Sequence, residues 1–393
     1  MIYLSLPKIY NNLKIQNLLL SLTYENTDIF LNKKLSQYLL KSKHNIDNYI
    51  DNWDSMKKYT NCYEFIHTNI PEYKYCISKY VPISRAFYKM IEIMNVFELN
   101  VDKKISTFHL AEAPGGFIEA LCYLREKYTH ETYTGISLLN DKNTTPSWRN
   151  NSVIFNKYKN KINIENGITN DGNLYKKKNF IHLQNKYGNS MDLITADGGF
   201  DFSLDYNMQE KNMLRLIYTE ILYAIVLQKK GGNFILKIFD IFLQQTLEMI
   251  YFLSLCYDQV YIIKPSTSRS ANSEKYVVCK GFKLLSSTGF IKLFYTQLEY
   301  LEKGTNNTIY SIFQNITIPT MFLNTIREIN SIIGQNQLEN INSTIMMIEQ
   351  PKRKERLKIF IKENIARCIE WCKENNIEYE NNNDKINIFL KET

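Results

Sequence analysis

Between residues 107 and 282 short β-rich runs take turns with amphipathic helical runs, and this alternation constrains the fold more than any other feature. It implies α/β architecture: a mostly parallel sheet with helices on both faces, because parallel strands need crossover connections that cover the sheet. FHLAEA (108–113) reads as a strand stopping at Pro114-Gly115-Gly116. The next segment places Phe117, Ala120, Leu121, Leu124 and Tyr128 on one helical face. TYTGISL (132–138), one strand near KINIEN (161–166), and MDLITAD (191–197), ending at Gly198-Gly199, follow. Met213, Leu214, Ile217, Ile221, Leu222 and Ile225 then recur at helical spacing. Lys229 and Lys230 are expected in the last turn of that helix, with Gly231-Gly232 ending it. NFILKIFD (233–240), a helix over 242–256, VYIIKP (260–265) and a closing strand SEKYVVCKGF (273–282) complete the pattern.

The flanks differ. Residues 1–50 are expected to form one or two helices, and the chain after about residue 300 is expected to be helical. There Leu357, Ile361, Ile365, Ile369 and Cys372 form an apolar stripe on a charged segment, which suits a helix packed on the main domain. With 393 residues, 44% of them hydrophobic, the chain buries a sizeable core and is not wholly disordered. The net charge of +8 fits an RNA or phosphate partner without demanding one. The seven cysteines show no C-x-x-C spacing and the five histidines are scattered, so no zinc site is expected and the thiols read as reduced. The start is too short and polar for a signal peptide, and no apolar run is long enough for a membrane span.

Ligands of open α/β sheets bind at the carboxyl ends of the strands. AEAPGGF (111–117) sits at one such end, where glycines admit a close ligand and a helix N-terminus offers free N–H groups. A Gly-Gly pair instead of G-x-G-x-x-G argues against a dinucleotide site. Asp197 stands at a second strand end, Lys237 inside a third strand, Glu274 at the start of a fourth, and Lys89 in the helix-like run ISRAFYKMIEIM (83–94). Taken singly, each has an ordinary reading: a turn aspartate, a snorkelling lysine, a solvated surface charge.

Together SRAFYK, APGGF, ADGG, GGNFILK and SANSEKYVVCKGF occur in the order found in the FtsJ/RrmJ-like family of ribose 2′-O-methyltransferases, which the chain resembles. Three stretches resemble its cap-specific mRNA branch, found in eukaryotes and large DNA viruses: NCYEFI (61–66), ADGGFDFSLDYNMQEKNMLRLIYTEILYAIVLQKKGGNFILKIFD (196–240) and KPSTSRSANSEKYVVCKGF (264–282). In the first, Cys62 replaces the branch's proline. The resemblance covers about residues 55–285.

The resemblance implies a Rossmann-like S-adenosyl-L-methionine-dependent methyltransferase fold with helical extensions at both ends. It divides the chain into a 1–54 extension, a 55–295 FtsJ-like domain and a 296–393 mostly helical extension. It places a Lys-Asp-Lys-Glu tetrad on Lys89, Asp197, Lys237 and Glu274, and an antiparallel closing strand in the sheet. S-Adenosyl-L-methionine is expected against Ser84, Ala111, Glu112, Ala113, Pro114, Gly115, Gly116, Phe117 and Asp197. The family's adenine-side acid is Asp in a Gly-Asp-Leu/Ile stretch, where GITNDGNLY (167–175) offers Asn173, with Asp171 nearby. RNA and cap contacts are expected at Lys57, Lys58, Tyr59, Asn61, Asn207 and Arg269, and no metal is required. The implied activity is methylation of the ribose 2′-hydroxyl of the first transcribed nucleotide of capped mRNA. Methylation of rRNA or tRNA, and a non-catalytic RNA-binding subunit, are the competing expectations. The expected partner is capped mRNA, with other capping or transcription proteins beside it and no membrane. The expected location is intracellular: host cytoplasm or virion for a viral chain, nucleus for a cellular one.

Overall fold

The computed structural model describes residues 1–10, 15–23, 30–71, 73–139, 147–148, 153–199, 208–303, 308–314, 316–350 and 353–380. Eight strands form one sheet: β1 (Ile2–Ser5), β3 (Thr107–Leu110), β4 (Tyr133–Ile136), β5 (Ile162–Glu165), β6 (Met191–Ala196), β7 (Gln228–Ile238), β8 (Tyr257–Lys264) and β9 (Lys275–Phe282). Their order is β1-β8-β9-β7-β6-β3-β4-β5. β5, β4, β3, β6 and β7 run parallel. β9 enters antiparallel between β7 and β8, and β1 lies antiparallel on β8. A short strand, β2 (Ser21–Thr23), pairs with β10 (Thr308–Ser311) in a separate ribbon.

The helices are α1 (Lys33–Asn45), α2 (Ile50–Thr60), α3 (Ala86–Val96), α4 (Gly116–Leu124), α5 (Val153–Lys157), α6 (Lys177–Tyr187), α7 (Gln209–Leu227), α8 (Gln244–Cys256), α9 (Thr288–Lys303), α10 (Thr320–Glu349) and α11 (Arg353–Glu374). They build a core on each face of the sheet. One joins α6 to α9 and the first half of α10 to Phe108, Ile194, Phe234 and Leu236. The other joins α3, α4 and α11 to Leu193, Ile235, Tyr276 and Val278. Because strand side chains alternate, Lys237 falls on the same side as Ile235, toward α3 and α4. α3 buries Phe87, Tyr88, Met90, Ile91, Ile93 and Met94. Burial of such side chains is worth about 1.5–3 kcal/mol each, enough to carry Lys89 into the same buried helix.

Three expectations change. Residues 1–50 supply α1, but they also supply β1 at the sheet edge and β2, which periodicity in a short Asn-broken segment does not show. α7 ends at Leu227, so Lys229 and Lys230 belong to β7 and not to a helix end. The cause is Gln228: its buried amide donates to the Asn233 carbonyl (2.7 Å) and accepts from the Tyr257 hydroxyl (2.5 Å), turning the chain into the sheet at once. Lys229 pairs with Asp192 at 2.7 Å. On α11 the buried stripe is Ile365, Cys368, Trp371 and Cys372, while Leu357, Ile361 and Ile369 are only half-buried.

Candidate active site

Strand order reverses between β3 and β6, and there the two glycine loops meet. A Cβ on Gly198 would lie 3.1 Å from that of Ala111, whose own φ is +50°. Clefts at such reversals are where ligands of open α/β sheets bind. Four side chains converge beside the loops. Lys237 Nζ donates to the Asp197 carbonyl (2.7 Å) and lies 3.3 Å from its carboxylate. Lys89 Nζ lies 2.7 and 2.9 Å from the two carboxylate oxygens of Glu274. The register of β9 on β7 sets Tyr276 opposite Lys237. The Tyr276 hydroxyl donates to Asp197 at 2.8 Å, and its ring lies 5.9 Å from the Lys89 ammonium.

Two further groups brace Glu274: the Ser268 hydroxyl donates to its carboxylate (2.7 Å) and Lys264 Nζ to its backbone carbonyl (2.7 Å). Burial pushes the Glu274 carboxyl up, but Lys89, Lys237 and Lys264 outweigh burial and hold it well below the usual range. Burial pulls Lys89 down against the opposing pull of Glu274 and Asp197. Lys237 goes the other way: burial lowers it, yet Asp197 and Glu274 win and hold it charged. Tyr276, Ser268 and Lys264 went unremarked in the sequence, since a tyrosine in an apolar strand and a loop serine look like packing and turn residues.

The cofactor loop departs from expectation in one respect. Glu112 turns back under the start of α4 and accepts from the N–H groups of Phe117 (2.6 Å) and Ile118 (3.3 Å). Two first-turn donors expected to meet a ligand are therefore spent on the chain's own carboxylate. Burial, with Asp197 nearby, drives the Glu112 carboxyl far up. The Ala113 N–H donates to Ser137 Oγ at 3.2 Å, the Ala113–Pro114 bond is cis, and Phe117 is buried with its ring 6.0 Å from that of Tyr276. Asn173 and Asp171 bind their own loop: Asp171 accepts from the Asn173 N–H, and the Asn173 side chain from the Tyr175 N–H.

The glycines of the loops admit close approaches of the backbone. Gly115 has φ +111°, and a Cβ on Gly116 would stand 2.2 Å from Ser84 Oγ, a buried hydroxyl without a hydrogen-bond partner. A Cβ on Gly199 would stand 3.2 Å from Lys237 Nζ. Bare backbone at Gly199 beside Lys237, and a Ser84 hydroxyl that no described residue pairs, fit a small polar donor molecule.

The expected RNA contacts divide. Arg269 is forked onto Glu64, Nε at 3.1 Å and Nη2 at 2.5 Å, so its fork is not free for phosphate. Burial pushes the Glu64 carboxyl up, but Arg269 and Arg85 overcome it and hold it at about 2. Asn61 is buried, with its amide shared between the Ser270 N–H and the Lys57 carbonyl. Both therefore tie NCYEFI to the loop before Glu274. Lys57 pairs with Asp54, Lys58 is half-exposed, and Tyr59 is half-buried against the α3 and α11 core. Asn207 lies outside the described residues. A pocket of about 210 Å³, lined by Cys62, Glu64, Arg85, Ser266 and Arg269, opens beside this tie. A larger cavity of about 1040 Å³ lies at the other end of the sheet, by Lys280 and Lys283, and shares none of these residues. Among the described residues no cluster of three or more His, Cys, Asp or Glu is arranged for a metal, and no helix is long and apolar enough to cross a membrane.

Glycine loops that meet at a strand-order reversal, with two ammonium and two carboxyl groups beside them, fit a methyltransferase. The FtsJ-like methyltransferase model matches residues 82–282, just over half of the chain, and the chain belongs to that family. Membership brings S-adenosyl-L-methionine as methyl donor. The chain is 30% identical over 222 residues to a cap-specific mRNA (nucleoside-2′-O-)-methyltransferase 2 of Drosophila melanogaster, covering 51% of this chain and 30% of the relative. It is 29% identical over 311 residues to the Danio rerio protein of that name, covering 71% and 39%. With cap-specific mRNA (nucleoside-2′-O-)-methyltransferase 1 of Homo sapiens it shares 34% over 193 residues, covering 47% and 22%. The chain thus spans well under half the length of these relatives.

Proposed function

We propose that the chain methylates the ribose 2′-hydroxyl of the first transcribed nucleotide of capped mRNA. The observation that carries this is the meeting of Lys89, Asp197, Lys237 and Glu274, drawn from four elements, beside the bare glycine loops. S-Adenosyl-L-methionine, when bound, supplies an electrophilic methyl group on a sulfonium. Gly116, Ser84 and the loop 113–117 would hold it, and the half-exposed Leu138 and Leu139 past the end of β4 offer apolar surface to its base.

The protein's part is alignment and proton control. Lys237 commits two N–H donors to Asp197, so the third position on Nζ, an N–H when charged and a lone pair when neutral, is left for the ribose hydroxyl. Asp197 and Tyr276 fix the direction of that position. Lys89 and Glu274 close the other side, so the hydroxyl lies among fixed charges that need no reorganisation during transfer. The hydroxyl proton must leave as the oxygen attacks, and Lys237, once deprotonated, accepts it. The four groups titrate as one coupled set. The pocket by Cys62 and Arg85 lies next to the tetrad through Ser268 and would receive the cap side of the RNA.

Methyl transfer to short capped and uncapped RNAs, with the modified nucleotide mapped, tests the proposal. Transfer to the first transcribed nucleotide of capped RNA is expected, and a preference for uncapped structured RNA would overturn it. Lys237→Ala is expected to abolish transfer while RNA binding persists.

A further inference from the structure

Among the described helices the most one-sided charge lies on α1, KKLSQYLLKSKHN, which carries four lysines and no carboxylate. Its inner face is anchored by Leu39, packed with Phe242 and Leu338, and by Leu35 against Gly334 of α10. Its outer face exposes Lys33, Lys34, Gln37, Tyr38 and Lys41. Lys34, Tyr38 and Lys41 recur at i, i+4 and i+7, so they form one stripe roughly 10 Å long at 1.5 Å per residue. Tyr38 is 56% exposed between the two lysines. Among the described residues Lys33, Lys34 and Lys41 meet no carboxylate; acidic side chains resume only with Asp47, past the helix end.

The position of the stripe matters as much as its charge. Lys43, in the last turn of α1, pairs with Asp240 (3.2 Å), which also pairs with Lys275 (2.8 Å), the neighbour of Glu274. The Leu31 N–H donates to the Phe242 carbonyl, and Phe30 bridges Leu243. α1 therefore stands on the loop that leaves β7, at the rim that carries the tetrad. The tie of Glu64 and Arg269 lies on the other flank of Glu274, through Ser268.

We propose that the exposed face of α1 binds the single-stranded RNA chain downstream of the methylated nucleotide, with Lys34 and Lys41 on phosphates and Tyr38 stacked on a base. This rests on the proposed function for the identity of the strand. A polyanion matches a carboxylate-free lysine face, and a ring set between ammonium groups is the arrangement that holds unpaired bases without sequence preference. Lys43 is already paired and acts as the tether that fixes the stripe to the rim.

The test compares RNAs of about 4 and about 20 nucleotides. Wild type, Lys34→Glu/Lys41→Glu, Tyr38→Ala and a control pair, Lys103→Glu/Lys104→Glu, are assayed for KM and kcat on capped RNA. Binding to an uncapped 20-mer is followed by fluorescence anisotropy at several salt concentrations. The control lysines are exposed, precede β3 and so lie at the opposite end of the sheet. The α1 charge reversal is expected to weaken 20-mer binding about tenfold and to lower the salt slope by about 0.7 for each phosphate lost. Tyr38→Ala is expected to weaken it about fivefold or more. Turnover of the 4-mer should stay at the wild-type value in both α1 variants. Equal loss in the control pair, equal loss on both lengths, or undiminished 20-mer binding by the α1 variants overturns the proposal. If no capped RNA is methylated by the wild type, the proposed function fails, and the binding arm still decides the role of α1.

Discussion

In the proposed reaction Lys237 is the residue on which the chemistry turns, because its charge is set by two carboxylates while the role assigned to it requires losing a proton. With Asp197 and Glu274 holding it protonated, the reactive fraction rises with pH. For the free enzyme, log(kcat/KM) for capped RNA is expected to climb with a slope near one between about pH 6 and 9. Lys237→Arg keeps the cation but cannot give up its proton, so it should fall to the level of Lys237→Ala; near-normal turnover would reduce the lysine to an orienting charge. The glycines behind it separate fold from chemistry. A methyl on Gly198 would meet Glu220 Oε1 at 2.4 Å and Leu216 Cδ2 at 2.8 Å, so Gly198→Ala should cost about 1–3 kcal/mol in urea unfolding. Among the described residues a methyl on Gly199 meets only Lys237 Nζ at 3.2 Å and its Cε at 3.7 Å, so Gly199→Ala should leave stability nearly unchanged and reduce turnover. At this scale Lys89, Asp197, Lys237 and Glu274 could be singled out because each stands in a distinctive string. Their supports were not: Glu64 and Arg269 are 205 positions apart, and nothing local announces their pairing.

Single elements carry their own consequences. On β3, His109 is fully buried between the hydroxyls of Thr107 (2.9 Å) and Thr195 (2.7 Å), and burial pulls its imidazole down to about 3. The unfolded chain protonates near 6.5, so below that pH it binds the proton that the folded state refuses. Stability linked to His109 is therefore whole above pH 6.5 and lost as pH falls toward 3, at about 1.4 kcal/mol per pH unit. Urea unfolding at pH 6.5 and 5.0 should show a drop of about 2 kcal/mol from this residue, and His109→Asn should remove that share. Elements with a strong period, such as β6, α7 and α8, were legible in the sequence. The end of α7 was not, because Lys-Lys-Gly-Gly is ordinary helix-ending chemistry, while Gln228 is held in the sheet by Asn233 and the distant Tyr257. β1 and β2 were invisible for a related reason: they are three or four residues long and exist through their partners.

On the scale of the whole molecule the flanks are structural parts of the catalytic region. β1 covers the edge of β8, Leu18 and Leu31 lie in the same core as α7, and α10 and α11 seal the two faces. A fragment of residues 55–295 would expose those apolar surfaces and leave the β8 edge unpaired. It is expected to be aggregation-prone, or to unfold at least about 10 °C below the full chain by calorimetry. A fragment as stable as the full chain would show that the flanks are dispensable packing.

The position of β9 sets a schedule for a newly made molecule. Its neighbours β7 and β8 are both synthesised first, so the sheet waits with an open slot until residues 275–282 arrive. Glu274 and Tyr276 arrive with it, so a nascent chain holds its glycine loops long before it holds the whole of the reaction centre proposed above. Methyl transfer then reports the seating of the final strand, and a stalled ribosomal product lacking β9 is expected to be silent however well its parallel half has formed.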